Sequence, residues 1–334
     1  MARPLTPADG ASSNMTHMRR VLLAVLAAAV LSIGIIGPGQ APAQAQTPPP
    51  GTDGALVVNA GVYVLSVGQF NISTGSYVVD MYLTLQCSQP CTPNRFEFMN
   101  GRATSTDLVE DEPDYKSYRI QAALQTDPDV RQYPFDEQTL TIQFEDKSLS
   151  RTHLVYVADP TLNGVDPSVI IAGWQMRDWK AQVQDHDYPT FDATYSRFQF
   201  DVVIARGTMS SVFKAILPAI FIVLGGFLAL LLGPDKALQR LGINTSALIG
   251  GIMFHINLTS QLPPVGYLTL ADKYMIVNYI GLVGTLAATV VLLALTNTGN
   301  NDKAKVMTER IHRYTAISLP AVWLVGQVLV LTLR

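Results

Sequence analysis

The apolar positions of this 334-residue chain fall into two regimes. Between residues 55 and 205 they come in short runs rich in Val, Tyr, Leu and Thr. Residues 55–70 and 76–86 lead, with NISTG at 71–75 as the turn between them. Residues 96–99, 118–124, 140–144, 154–157, 170–176, 179–183 and 196–205 follow, separated by DEPD, TDPD, ADPTLNG and HDYP. No helical stretch interrupts them. Short strands at this spacing predict an antiparallel all-β sandwich of the immunoglobulin-like kind. A carbohydrate-binding or adhesive module fits the same pattern.

Beyond residue 208 the apolar runs lengthen. Residues 212–232, 240–263, 274–295 and 315–333 are each about 20 residues long, enough to cross a ~30 Å hydrocarbon core. The first contains Pro218, which removes one helical hydrogen bond and softens the span locally. The second is a poor lipid-facing helix, because Asn244, Thr245, Ser246, His255, Asn257, Thr259 and Ser260 interrupt it. One face of it, read at helical spacing, carries Gly242, Ser246, Ile249, Met253, Ile256 or Asn257, and Ser260. A ring of such helices makes a water-filled conduit with a hydrophobic constriction that closes by dewetting. A helix buried in a bundle, with Gly and Ser allowing close packing, is the other reading.

The start of the chain carries a third signal. Arg19 and Arg20 precede an apolar stretch and an A-x-A site at 43–45, so residues 1–45 read as a secretory signal, with an uncleaved anchor as the alternative. The TPPPG run that follows reads as a leader. The domains predicted are therefore the signal, a β domain over 46–208 and a four-helix membrane domain over 209–334.

Charge sharpens this division. Residues 46–211 hold eleven Lys/Arg against twenty-one Asp/Glu, whereas residues 212–334 hold nine against four. An acidic exported domain repels nucleic acid and concentrates cations. Lys236 and Arg240 flank one short connection of the membrane half, and Lys303, Lys305, Arg310 and Arg313 another. The positive-inside tendency puts both in the cytoplasm and the β domain outside, in a multi-pass protein of the plasma (inner) membrane. Cys87 and Cys91 stand four positions apart, and in an oxidising compartment a short-range disulfide is expected, with free thiols or a metal site as alternatives. No nucleophile motif, phosphate loop or metal-ligand spacing points to an enzyme or to a cofactor. No inverted repeat of broken helices points to a transporter.

An ordered set of motifs then bears on identity. Tyr133-Pro134-Phe135-Asp136-Glu137-Gln138-Thr139-Leu140 resembles the signature loop of pentameric ligand-gated ion channels, the Cys-loop receptor superfamily. Gly173-Trp174, Arg206, Ile216-Leu217-Pro218, Leu262-Pro263 and Tyr267-Leu268-Thr269 through Asp272 follow in the family's order. The flanking cysteines of animal receptors are missing, as in prokaryotic members, so Cys87 and Cys91 are not that pair. The segment after Cys87 is also short for the family.

The resemblance implies a homopentamer whose second helix lines the pore, in contact with lipid and inorganic ions. It implies Ile249, Met253 and Ile256 as the gate and Gly242 and Ser246 as the narrower cytoplasmic part. It places a small-molecule agonist, an amine or a proton, between β domains, with Phe98, Asn100, Arg151, Tyr188 and Phe191 as candidates and His186 as a pH-sensing alternative. Coupling would run through Tyr133, Pro134, Phe135, Asp136 and Arg206 to the connection that starts at Pro263. At the pore mouth Asp235, Gln239 and Arg240 bear on ion choice. Gln239 stands where cation-selective relatives carry Glu, and the acidic outer domain favours cations, with an anion-selective pore as the alternative. Ile72 and Gly75 lack the carboxylate that often sits on the first strand turn. A silent binding or sensory protein with the same anchor is the competing class.

Overall fold

Alternation along the N-terminal half decides its architecture. In β2 (Ser76–Cys87) Tyr77, Val79, Met81, Leu83, Leu85 and Cys87 are buried, and every second residue faces away from the core. Side chains alternate across a strand, so such a segment buries one face only, and two sheets must meet to cover their apolar faces. The computed structural model describes residues 54–92, 95–298 and 302–332, and it shows this sandwich. The expected signal and leader lie outside the described residues, as does Arg334.

One sheet runs β4 (Gly101–Asp111), β5 (Tyr115–Gln125), β2, β1 (Leu56–Val67), β7 (Leu154–Ala158), with β8 (Gly164–Val165) also on β1. The other runs β3 (Phe96–Phe98), β6 (Glu137–Asp146), β10 (Ala193–Arg206), β9 (Trp174–Tyr188). Between them lies a ladder of aromatic rings. Phe96, Phe98, Tyr156 and Phe198 all pack on Phe144, three edge-on and Phe198 stacked at 4.8 Å. Such pairs contribute about 0.5–1.5 kcal/mol each beyond area burial.

Three features differ from the sequence expectation. β4 is a strand that residues 101–111 do not announce, because every one of them except Gly101 is exposed and no apolar alternation marks it. The two runs expected at 170–176 and 179–183 merge into one 15-residue strand, β9, which starts only at Trp174, so residues 170–173 lie before it. The pairing of β1 with β7 and β8 is parallel, not antiparallel. Cys87 and Cys91 form a disulfide that closes the end of β2.

The 71–75 turn depends on its last residue. Gly75 has φ +71°, and an added Cβ would lie 1.8 Å from the carbonyl oxygen of Thr126. The main chain there is held by a Thr126 N–H bond to the Gly75 carbonyl, 2.9 Å. Gly75→Ala should therefore lower stability by at least about 2 kcal/mol, read as a fall in the thermal unfolding midpoint.

Four helices long and apolar enough to cross a membrane follow: α1 (Thr208–Leu231), α2 (Ala237–Thr259), α3 (Leu270–Thr298) and α4 (Asp302–Thr332). The chain is a multi-pass membrane protein. α1 widens into a π turn over Val212–Ile216, just before Pro218, whose ring nitrogen has no hydrogen to give the Lys214 carbonyl. α3 and α4 outrun the predicted spans, since polar residues at their ends continue the helix. Polar side chains tie the bundle: Asn278 Oδ1 accepts from Trp323 Nε1 at 2.8 Å and from Gln327 Nε2 at 2.7 Å.

Candidate functional site

The β domain and the helices meet at the 126–136 loop between β5 and β6. Asp136 is 1% exposed and charged, so it needs partners. Arg206, the last residue of β10, gives Nε to Asp136 Oδ1 at 2.6 Å, and Gln138 Nε2 donates to Oδ2 at 2.8 Å. The same guanidinium lies 5.0 Å from the Tyr133 ring centroid and 4.4 Å from that of Trp174. Pro134 is buried beside it, after a cis Tyr133–Pro134 peptide, and the Phe135 N–H closes a turn on the Gln132 carbonyl.

This loop caps α3. The first N–H groups of a helix lack intrahelical partners. Here Leu270 N donates to the Arg131 carbonyl at 2.8 Å and Ala271 N to the Tyr133 carbonyl at 2.9 Å. Thr269 N donates to Asp272 Oδ2 at 2.8 Å, and Asp272 N returns to Thr269 Oγ1 at 3.1 Å, a capping box. Tyr133 Oη reaches the Leu258 carbonyl near the end of α2, 3.2 Å. Asp272 Oδ1 also meets His255 Nε2 of α2 at 2.9 Å, and His255 Nδ1 meets Tyr279 Oη at 2.9 Å. One chain of bonds thus links the β5–β6 loop, the start of α3 and the face of α2 turned towards α3. Pro263 lies in the α2–α3 connection itself.

Asp129 adds a pH dependence on the same loop. The backbone N–H of Arg131, and then its guanidinium, hold this carboxyl below the usual carboxylate range against partial desolvation. A lowered carboxyl contributes stability that is present above the ordinary range and is lost as pH falls through the lowered value. Strong acid should therefore loosen the Asp129–Tyr267 contact, and hydrogen exchange of the Val130 N–H, held by Tyr267 Oη at 3.2 Å, should rise on acidification relative to Asp129→Asn.

α2 is two-faced. Ala237, Arg240, Asn244 and Gly251 are buried, and Asn244 donates to Thr285 and Thr289 of α3. Gly242, Ser246, Ile249, Met253, Ile256, Asn257 and Ser260 are all exposed. Ile249, Met253 and Ile256 are 56%, 62% and 58% exposed, so none of the described residues covers the apolar half of this face. Asp235 and Gln239 are exposed at its start. Arg240 corrects the expectation: it turns inward and meets His312 of α4 at 3.3 Å, because residues 237, 240 and 244 share the packed face. It therefore offers no charge to the exposed face.

The tip of the β9–β10 hairpin forms a third cluster. Tyr188 packs edge-on against His186 and Tyr195 and touches Phe191. Its hydroxyl donates to Glu145 Oε2 at 3.1 Å, and Glu145 Oε1 accepts from Arg197 Nε at 2.6 Å. Burial, then the Glu145 charge, pushes the Tyr188 phenol up, so it stays protonated at neutral pH. Arg151 pairs with Asp185 at 2.6 Å. Two expected members do not join. Phe98 packs edge-on against Phe96 and Phe144 at the margin of the core. Asn100 is committed to the backbone, donating to the Gln125 carbonyl at 2.9 Å and accepting from Gln143 N at 3.2 Å. Both residues line clefts at the sheet edge, Asn100 one of about 810 Å³ with Tyr77 and Gln125.

No protein-family model matches the chain. It is 24% identical over 298 residues to a proton-gated ion channel of Gloeobacter violaceus, which covers 80% of this chain and 82% of that protein. It is 22% identical over 157 residues to a gamma-aminobutyric acid receptor subunit beta-like protein of Drosophila melanogaster, 46% of this chain and 30% of that one. It is 25% identical over 169 residues to 5-hydroxytryptamine receptor 3B of Homo sapiens, 48% of this chain and 37% of that one. These matches support membership of the Cys-loop receptor superfamily. The strand-rich N-terminal sandwich followed by four spans fits such channel relatives.

Sequence reading missed Glu145 and Arg197, which sit under Tyr188. Both lie in strands with core residues on either side, and only the register exposes them: Glu145 opposes Glu97 in β3, and its neighbour Phe144 opposes Phe198 in β10. Alternation then puts Glu97 and Glu145 on the outer face and the Phe98–Phe144–Phe198 row inside.

Proposed function

We propose that this chain is a subunit of a ligand-gated ion channel, a homopentamer in which α2 lines a cation-conducting pore. The single observation that carries the reading is the bonded path from the Asp136–Arg206 pair through the capped start of α3 to α2, because it joins a soluble domain to a spanning helix with an uncovered apolar stripe. The similarity to three receptor and channel relatives supports it. Gly242, Ser246, Ile249, Met253, Ile256, Asn257 and Ser260 would face the pore, with Ile249, Met253 and Ile256 as the gate. Exposed Asp235 and Gln239 stand at the inner mouth, and the acidic β domain outside the plasma membrane draws cations in.

The agonist would be a small amine seated against Tyr188, His186 and Phe191 of one subunit, over the Glu145 carboxylate. A second reading, opening by protons, is favoured by the relative that aligns over four-fifths of this chain and is a proton-gated channel. Purified protein in liposomes, screened over amines and pH, tests both, and reversal potentials in asymmetric salt read the selectivity. Silence across that screen would leave the binding-protein reading in its place. Phe191 is 74% exposed, so Phe191→Ala should leave the unfolding midpoint unchanged while raising the half-activating amine concentration several-fold. An unchanged response would remove the hairpin tip from the agonist site.

A further inference from the structure

We infer that Arg240 holds a small inorganic anion inside each subunit, at the end of the helical bundle away from the β domain. The site is built on the first turns of α2, where Lys236 supplies no side-chain cap and the helix N-terminus is positive. Arg240 is 0% exposed. Its Nη1 meets His312 Nδ1, which can only accept there and so carries no compensating charge. Its Nε and Nη2 are buried without any hydrogen-bond partner. A guanidinium does not deprotonate in a protein, and an uncompensated buried charge is among the most destabilising single features a fold can carry. A counter-charge is therefore required.

Among the described residues none supplies one. Asp235 and Glu309, acids near this end of α2 and α4, are exposed, and the side-chain partner of Arg240 among the described residues is His312. One turn along the same face, Asn244 gives both amide hydrogens to Thr285 and Thr289, yet its Oδ1 is also buried and unpartnered. Two orphan donors and one orphan acceptor thus lie a helical turn apart. A halide on the Nε/Nη2 edge of Arg240 satisfies the donors and the charge. One water, donating to the halide and to Asn244 Oδ1, satisfies the acceptor. Complete burial selects a monatomic anion over a lipid phosphate, whose headgroup stays tethered to the bilayer surface. This inference stands on the packing of α2 against α3 and on the Arg240–His312 contact, and does not depend on conduction.

The test uses the full-length protein in detergent. Crystals grown in bromide should show one anomalous peak per subunit beside Arg240. Exchange from sodium gluconate into sodium chloride or bromide at constant ionic strength should raise the unfolding midpoint by roughly 2–4 °C, and Arg240→Gln should abolish that rise. If Arg240→Gln does not fold, the bromide peak and the halide titration of the parent protein decide alone. Water or a lipid phosphate in place of the bromide peak, or equal midpoints in gluconate and chloride, overturns the proposal.

Discussion

Arg206→Ala should uncouple the β domain from the helices and lower its stability by about 3–5 kcal/mol. The substitution strands Asp136, whose side chain is fully buried, with Gln138 as its remaining donor. It also empties the space between the Tyr133 and Trp174 rings that the guanidinium fills. Since the Tyr133 carbonyl caps α3 and the Tyr133 hydroxyl reaches α2, the loss propagates to the elements that must move on opening. Evoked current should fall at least tenfold in protein that still assembles. Arg206→Lys should restore charge but not the planar fit between two rings, and so recover only part of the stability. The double change Arg206→Gln with Asp136→Asn removes both charges, and the cycle isolates the pair. An Arg206→Ala protein with the parent's midpoint and current would show that the pair carries no weight.

Much of this junction was legible in the sequence and much of the agonist cluster was not, for a physical reason. Asp136, Arg206 and Tyr133 lie at the ends of strands or in a loop, so no core packing competes for them and their residue types speak for themselves. The exposed face of α2 was readable because helical spacing sorts seven residues onto one side whatever the neighbours are. Arg240 was misread for the same reason turned round: a basic residue at a helix start looks like a mouth charge, and only the packing of Ala237 and Asn244 reveals that it turns inward. Phe98 and Asn100 lie apart from the Tyr188 cluster within the chain, because strand register and not nearness in sequence sets the face each residue takes. Phe98 pairs with Phe144 and goes to the core, leaving Glu145 as the outward group that Tyr188 meets. β4 failed because its side chains are exposed throughout, and an exposed edge strand has no apolar period to read.

Ile249→Ala should ease opening, with a lower half-activating concentration and a measurable current before agonist is added. A closed hydrophobic constriction excludes water because apolar side chains around a narrow space give water too few partners. Trimming Ile to Ala widens the space and reduces the apolar area, so the wet state costs less. In a pentamer the change acts five times. If each subunit shifts the closed–open balance by only about 0.3 kcal/mol, the sum is about 1.5 kcal/mol, roughly a tenfold change in the equilibrium. Met253→Ala and Ile256→Ala should act in the same direction, one and two turns nearer the β domain. Val325→Ala on α4 is the control: Val325 is as exposed as Ile249, Met253 and Ile256, the residues proposed for the gate, but α4 is not the helix assigned to the pore. If Val325→Ala shifts activation as far as Ile249→Ala does, the effect is one of general bundle stability, and the gate lies elsewhere on α2.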